Sequence, residues 1–372
     1  MTAAAITGLG LVSPYGHGTE VFWQKLLTGD PVTEPSPTSP ATAGEPVARV
    51  PPAGETGATP RKQTWAREAL AEALRAAGRA ELPPTALLVI AGSTPCLPHP
   101  TSPHAASPLP DEVSGPDLRD YFGGARVYVT HACASAAFAM ALAQQCVTGG
   151  TADIVAVVGA SVLNPYDYSS MDVVRAVSPT GARPFDTTRD GITVGEGAGA
   201  VILEPAGGRR RGPLLAGASC RVGGGSASAS DDETIAACMR DALAQGRERS
   251  RVHPGRLGYV HAHATGTPQG DAAELLALEG VARELGIHDL PSGSHKGAIG
   301  HLLHSSAFPG LVAAVNALRD GIAPPTAGLE TPEPTERVHL LRRPHRIARD
   351  STALVNGFGF GGSNASLLIA PS

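Results

Sequence analysis

Buried strands and helices alternate along nearly the whole chain of 372 residues. In the first half, the apolar runs 3–14, 87–92 and 154–161 predict buried strands. The repeating apolar positions of 64–78 predict an amphipathic helix that ends at Gly78. Such alternation is typical of a layered α/β fold.

The second half repeats this alternation. Its apolar patterns predict strands in 214–222, 258–263 and 353–371. They predict helices in 232–246, 270–286 and 308–321. Two similar halves indicate internal duplication, and we predict halves at 1–210 and 211–372. The segments 29–60 and 93–122 are rich in Pro and polar residues without periodicity, so we predict long loops there.

Charge and cysteine content narrow the class of protein. The net charge is -5, which argues against a nucleic-acid binder. No apolar stretch reaches the roughly 18 residues that a membrane-spanning helix needs. The five cysteines form no CxxC pair and the N-terminus lacks a basic leader, so we expect reduced thiols in a cytoplasmic protein.

Cys133 lies where a predicted strand, 125–130, gives way to a predicted helix, 131–147. The positive end of a helix dipole lowers the pKa of a thiol and favours the nucleophilic thiolate. A buried structural cysteine is the alternative, because free cysteines are usually buried.

A second candidate site follows strand 258–263, which leads His263 into the turn 264–268. Thr265 and Thr267 project hydroxyl groups from that turn. His261 shares a strand face with His263, but no third ligand has metal-binding spacing, so we predict no metal site.

Asp271 and Glu274 open the next predicted helix. Carboxylates at that position favour the helix dipole, and we expect them to cap the helix and support the turn before it.

Two further motifs lie near the C-terminus. Lys296 and His301 are five residues apart in a glycine-containing segment, and a buried lysine is costly to desolvate without a partner or a function. The segment 356–364 alternates glycines with Phe358 and Phe360. No Lys-Ser/Thr pair completes a P-loop, so we predict a mobile turn carrying an aromatic gate.

The order of these motifs resembles the β-ketoacyl synthase (ketosynthase) family of the thiolase superfamily, in its discrete type II-like form. The segments TGLGLVSPYG, RPFDTTRDGITVGEGAGAVILEP (183–205), IAPPT (322–326) and GFGFGGSN carry the resemblance. It implies a thiolase-like duplicated α/β fold layered α-β-α-β-α, with the nucleophile in the first half and the two catalytic histidines in the second.

The resemblance also implies roles for individual residues. Cys133 would be the acylated nucleophile, with His263 and His301 as the catalytic histidines. Lys296 would hold His301 in place. The backbone N–H groups of Cys133 and Phe360 would form the oxyanion hole.

The expected substrates are thioesters on an acyl carrier protein. Thr265 and Thr267 would bind its phosphopantetheine arm, and Phe360 with Phe358 would gate the acyl pocket. No metal or other cofactor is implied, and the expected assembly is a homodimer or a heterodimer with a related ketosynthase or chain-length-factor subunit.

The resemblance implies a decarboxylative Claisen condensation in polyketide or fatty-acid type biosynthesis. A non-condensing acyltransferase or cyclase and a chain-length-factor-like subunit are the alternatives. The sequence departs from the family at His131, where a small or hydroxyl residue is usual, and at 302–310, which lacks a carboxylate to pair with Lys296.

Overall fold

A computed structural model describes seven stretches of the chain: residues 3–36, 44–51, 61–92, 116–207, 212–223, 231–250 and 252–372. The helices are α1 (Thr19–Thr28), α2 (Arg61–Ala76), α3 (Ser135–Thr148), α4 (Pro165–Val173), α5 (Asp232–Ser250), α6 (Pro268–Glu284), α7 (Lys296–Ile299) and α8 (Ala307–Asp320). The strands are β1 (Ala4–Ser13), β2 (Gly16–His17), β3 (Glu34–Pro35), β4 (Pro46–Ala48), β5 (Leu87–Ala91), β6 (Ala125–Val129), β7 (Val155–Ser161), β8 (Val194–Gly195), β9 (Gly197–Pro205), β10 (Leu214–Val222), β11 (Leu257–His261), β12 (Leu290–Gly293), β13 (Ile322–Ala323), β14 (Val338–Leu340), β15 (His345–Arg346), β16 (Thr352–Gly359) and β17 (Ser363–Ala370).

The large sheet is built from two arrays with the same pairing pattern. Its order is β14-β12-β11-β16-β17-β10-β1-β9-β7-β5-β6. In the first array, β1 pairs antiparallel with β9 and β9 with β7, and then β7, β5 and β6 run parallel. In the second, β10, β17 and β16 pair antiparallel, and then β16, β11 and β12 run parallel. This repeated pattern supports internal duplication, and the boundary near residue 210 stays a prediction.

Helices cover the arrays in three layers. Helix α2 packs on the first array, α5 on the second, and α3 and α8 contact strands of both. Because neighbouring strand residues face opposite ways, Val157 packs in the central core and Val158 against α2. In the same way Leu367 faces the central core and Leu368 the α5 side. The predicted α/β fold with α-β-α-β-α layers is confirmed.

Glycines in the leading strands let the outer helices approach closely. A Cβ atom at Gly8 on β1 would lie 2.0 Å from the carbonyl oxygen of Ala73 on α2. A Cβ atom at Gly217 on β10 would lie 2.0 Å from the carbonyl oxygen of Ala242 on α5. Both contacts exclude any side chain, so the same backbone packing recurs in the two arrays.

Two element boundaries near the candidate site differ from the prediction. Helix α3 begins at Ser135 rather than residue 131, and β11 ends at His261 rather than 263. Cys133 and His263 therefore both lie in turns. Most of the predicted loop 93–122 lies outside the described residues. Across the described stretches, no helix combines the length and apolar character needed to cross a membrane.

Candidate active site

Cys133 lies in the turn between β6 and α3. The turn is shaped by Ala132, whose φ is +46°, and by Ser135, whose hydroxyl accepts the His131 N–H at 2.8 Å and donates to the Ala132 carbonyl at 2.7 Å. Ser135 therefore holds the two residues before Cys133 in place.

The Cys133 thiol is less acidic than the sequence predicts. Burial raises its pKa to about 11, while the Lys296 charge and the backbone N–H of Cys133 lower it, and Asp167 raises it further. Desolvation raises the pKa of the thiol more than the favourable electrostatic interactions lower it. Helix α3 begins two residues after Cys133, at Ser135. The resting group is a thiol, which must lose its proton as it reacts.

His263 is held with its Nδ1 atom occupied. The backbone N–H of Phe358 donates to Nδ1 at 3.1 Å. Burial first, and then the charges of Lys296 and His301, hold the pKa of His263 well below its usual value. The ring is therefore neutral, and its proton lies on Nε2, which is left as a hydrogen-bond donor.

His301 has a similar arrangement with a different partner. Its Nδ1 atom lies 2.5 Å from the Ser306 hydroxyl, which can donate to a neutral ring. Burial and the Lys296 charge hold its pKa well below the usual value. The Thr193 carbonyl accepts the His301 N–H at 2.7 Å, and the Gly195 N–H donates to its carbonyl at 3.0 Å. The segment 183–205 thus anchors this histidine.

Lys296 is buried, and its ammonium donates a hydrogen bond to the backbone carbonyl of His263. The sequence predicts that Lys296 holds His301 in place, and that role stays a prediction. Burial lowers the pKa of Lys296 to about 8, against the favourable charges of Glu274, Asp271 and Cys133. Its counter-charge therefore comes from α6.

Glu274 and Asp271 are fully buried and act on the turn before their helix. Glu274 accepts the N–H groups of His263 at 2.9 Å and Ala264 at 2.8 Å, and a hydrogen bond from Asn356 at 2.9 Å. Asp271 accepts the Thr265 N–H at 2.9 Å.

Glu274 and Asp271 support the turn, as the sequence predicts. They do not cap α6, because its N-cap residue is Thr267. In the sequence, the two carboxylates lie three residues apart shortly after the turn 264–268, and this spacing was the signal that they support the turn.

His261 is not beside His263 at the site. Its Nδ1 atom lies 2.9 Å from the Tyr259 hydroxyl and its Nε2 atom 2.7 Å from His295 Nδ1. Gly310 on α8 leaves room for it, since a Cβ atom there would lie 3.0 Å from His261 Cδ2. Both ring nitrogens of His261 therefore have a hydrogen-bonding partner.

The β16–β17 turn packs on the backbone of Cys133. A Cβ atom at Gly359 would lie 2.9 Å from the His131 carbonyl oxygen and 3.0 Å from the backbone nitrogen of Cys133, so this close approach favours glycine. The Phe358 ring lies 5.2 Å from the His263 ring, measured between centroids. The neighbouring Phe360 is half-buried.

The side chains predicted to form the site, apart from Lys296, line one cavity of about 380 Å³. It is lined by Cys133, His263, His301, Thr265, Thr267, Phe358 and Phe360. The two histidine rings lie 5.4 Å apart at 82°, and the two threonine hydroxyls lie 3.1 Å apart. Lys296 lies behind this lining. The sequence interpretation missed Met171, Val174 and Arg175, which line the cavity from the end of α4.

The family models that match this chain are the beta-ketoacyl synthase N-terminal domain, over residues 121–207, and its C-terminal domain, over 214–330. The chain is similar to the oxytetracycline polyketide putative beta-ketoacyl synthase 1 of Streptomyces rimosus, at 32% identity over 98% of this chain and 96% of that one. It is also similar to the 3-oxoacyl-[acyl-carrier-protein] synthase 2 of Rhizobium meliloti (strain 1021), at 30% identity over 99% of both.

Solved structures share the fold. A beta-ketoacyl synthase from Burkholderia phymatum STM815 superposes with a TM-score of 0.85, 24% identity and full coverage of both chains. The ishigamide ketosynthase/chain length factor gives a TM-score of 0.85 at 21% identity, over 100% of this chain and 99% of that one. With two family models, full-length relatives and a shared fold, this chain belongs to the β-ketoacyl synthase family.

Proposed function

We propose that this chain is a β-ketoacyl-[acyl carrier protein] synthase that condenses an acyl group on Cys133 with a malonyl-type thioester, in polyketide or fatty-acid type biosynthesis. The names of the full-length relatives support this activity. The observation that carries it is that His263 and His301 both have Nδ1 occupied and both line the Cys133 cavity. The Phe358 N–H leaves His263 with an Nε2–H donor, and a Ser306 hydroxyl that donates to Nδ1 gives His301 the same form beside the thiol.

The first step transfers the acyl group to the enzyme. The Cys133 sulfur attacks the thioester carbon, a new C–S bond forms, the old one breaks, and the thiol proton leaves with the carrier's thiol. The backbone N–H groups of Cys133 and Phe360 hold the negative oxygen of the tetrahedral intermediate. The close packing of Gly359 on Cys133 supports this arrangement.

The second step breaks the carboxylate bond of the malonyl unit. Carbon dioxide leaves, and the electron pair of that bond forms an enolate whose charge lies on the thioester oxygen. The Nε2–H groups of His263 and His301 stabilise that charge, and one such donor is worth about 3–4 kcal/mol. The enolate carbon attacks the acyl carbon, and the collapse of the intermediate releases the Cys133 thiolate.

The proposed partner is an acyl carrier protein, which the name of the Rhizobium relative includes. Thr265 and Thr267 offer paired hydroxyls to the amides of its phosphopantetheine arm. Phe358 and Phe360 flank the acyl path. The chemistry requires no group beyond the carrier-bound thioesters.

A dimer is part of the same proposal, either with a second copy or with a related subunit. Strand β6 lies at the end of the large sheet, and its Val127 is 38% exposed. A terminal strand with free backbone groups can pair with another chain. The size of the purified protein in solution tests this part.

The test is an incubation with acyl- and malonyl-loaded carrier protein, read by mass spectrometry of Cys133 and of the product. We expect acylated Cys133 and an elongated carrier-bound product. Cys133→Ala should abolish loading, while Cys220→Ala, at an exposed thiol, should not. Acylation without release of carbon dioxide would favour a non-condensing acyltransferase or cyclase. No acylation, even with a candidate partner subunit, would favour a chain-length-factor-like role.

A further inference from the structure

We propose that Asp289, His339 and His345 form a binding site for a divalent transition-metal ion of the zinc class. One ligand atom from each residue lies within 4.8 Å of the others. Asp289 directly precedes β12, His339 is the middle residue of β14, and His345 begins β15. None of the three lines the Cys133 cavity, so the site is separate from the proposed chemistry.

Backbone pairing places the three ligands independently of any ion. Strands β12 and β14 are parallel neighbours in which Pro291 lies opposite His339, two residues along from Asp289. His345 is held opposite Ala323 in the β13–β15 pair. Ligands on paired strands need little ordering when an ion binds, which favours affinity.

The donor set selects the kind of ion. Two imidazoles and one carboxylate suit zinc and its neighbours, whereas magnesium and calcium prefer oxygen ligands. The Asp289 carboxylate lies 3.2 Å from His339 Nδ1, and the two histidine rings lie 4.9 Å apart, measured between centroids. His339 Nδ1 is buried and has no hydrogen bond of good geometry among the described residues. A coordinated ion would satisfy it.

Small side-chain rotations would complete the site. Ligands about 2.0–2.1 Å from a tetrahedral zinc ion are roughly 3.3 Å apart, so no separation has to close by more than roughly 1.5 Å. The His339 and Asp289 side chains are 43% and 66% exposed, which leaves them free to turn. The same exposure leaves a coordination position for water, so we expect an exchangeable site.

Ion binding would link the β14–β12 edge of the large sheet to the separate β13–β15 strand pair. The ion would join the start of β12, the middle of β14 and the start of β15. Strand β12 leads into Ser294 and then Lys296, so the bound ion would stabilise this segment behind the cavity. An ion that binds only the folded chain raises the melting temperature with its concentration.

The experiment uses the metal-free full chain and its Cys133→Ala variant. The variant distinguishes zinc bound by the Cys133 thiol from zinc bound at the proposed site. Zinc chloride and magnesium chloride are titrated by calorimetry, with thermal melts alongside. We expect one zinc equivalent in both proteins, no magnesium binding, and a melting temperature raised by about 3 °C at a hundredfold excess over Kd.

Three variants locate the ion: His339→Ala, His345→Ala and Asp289→Asn. Each should weaken zinc binding at least tenfold, while His253→Ala, at an exposed histidine elsewhere, should not. Metal-free melts of all variants check that they fold. The proposal is overturned if the parent shows no saturable zinc binding, if magnesium binds equally well, or if zinc binding survives in the three variants.

Discussion

The Lys296 ammonium donates a hydrogen bond to the backbone carbonyl of His263, and so joins the lysine and histidine motifs directly. On the other side of the same residue, Glu274 accepts the His263 N–H at 2.9 Å. A buried cation and a buried carboxylate thus hold His263 between them. Because each is costly to bury alone, the two residues depend on each other.

This arrangement predicts a large effect for Glu274→Gln. The amide removes the nearest negative charge to Lys296 and places an N–H group against the N–H groups of His263 or Ala264. We expect the free energy of unfolding to fall by about 2–4 kcal/mol. Glu284→Gln is the control, because Glu284 ends the same helix and makes an exposed pair with Arg240; it should cost at most about 1 kcal/mol. Equal losses in urea melts would contradict the prediction.

Lys296 also controls the reactivity of Cys133. With the thiol pKa raised to about 11, the rate of alkylation by iodoacetamide should increase about tenfold per pH unit from pH 7 to 10. Lys296→Met removes a charge that lowers this pKa, so alkylation should be slower below about pH 8, where the Lys296 ammonium is charged, and the difference should shrink at higher pH. Lys25→Met, at an exposed lysine, should change nothing. Peptide mass spectrometry follows Cys133 alone. A rate that levels off below pH 8 would show that a thiolate is already present.

Ser306 is expected to set the tautomer of His301. Ser306→Ala removes the hydroxyl beside Nδ1, so the proton is no longer directed to Nε2. Decarboxylation of a malonyl thioester should fall about tenfold or more, since one oriented donor is lost, while acyl loading of Cys133 changes little. Ser305→Ala is the control, because the Ser305 hydroxyl contacts Ser161 rather than His301. The idea fails if both variants lose decarboxylation equally.

Two helical glycines should respond in opposite ways to alanine. A Cβ atom at Gly310 would lie 3.0 Å from both His261 Cδ2 and Val355 Cγ1, so Gly310→Ala should destabilise the fold by about 1–3 kcal/mol. At Gly280 on α6 nothing lies within 4 Å, and Gly280→Ala should stabilise by about 0.5–1 kcal/mol. Thermal melts compare the two, and a stabilising Gly310→Ala would mean that His261 moves freely.

Acid should destabilise the fold through its buried imidazoles. Burial first, and then the Lys296 charge, lowers the pKa values of His261, His263, His295 and His301. The unfolded chain takes up these protons near pH 6.5 and the folded chain only at lower pH, so stability is lost as the pH falls below about 6.5.

Each such group contributes about 1.4 kcal/mol per pH unit. Burial raises the pKa of Glu274 to about 7 and also raises the pKa values of Asp271 and Glu196. These three carboxyls oppose the effect because the folded chain binds their protons first, but the buried imidazoles outnumber them. Urea melts at pH 7.5 and 5.5 measure the slope, which should be smaller in a His261→Ala/His295→Ala double variant. A slope of the opposite sign would refute the prediction.

Local pattern was enough for the main helices and strands. The apolar spacing around Trp65 and the apolar run at Val157 each predict their element, because side-chain periodicity follows directly from helix and strand geometry. Boundaries near the site were less certain. Helix α3 starts at Ser135 because the backbone turns at Ala132, and α4, which lines the cavity, has no strong apolar period.

The sequence by itself determined the α/β class, the order of the motifs and the residues that meet at the cavity. Only the tertiary structure decided their chemical states. The proton position on His263 depends on the Phe358 N–H, 95 residues away, and the pKa of Cys133 depends on burial and on Lys296. Periodicity is set by neighbours in the chain, whereas hydrogen-bond partners and desolvation are set by groups that folding brings together.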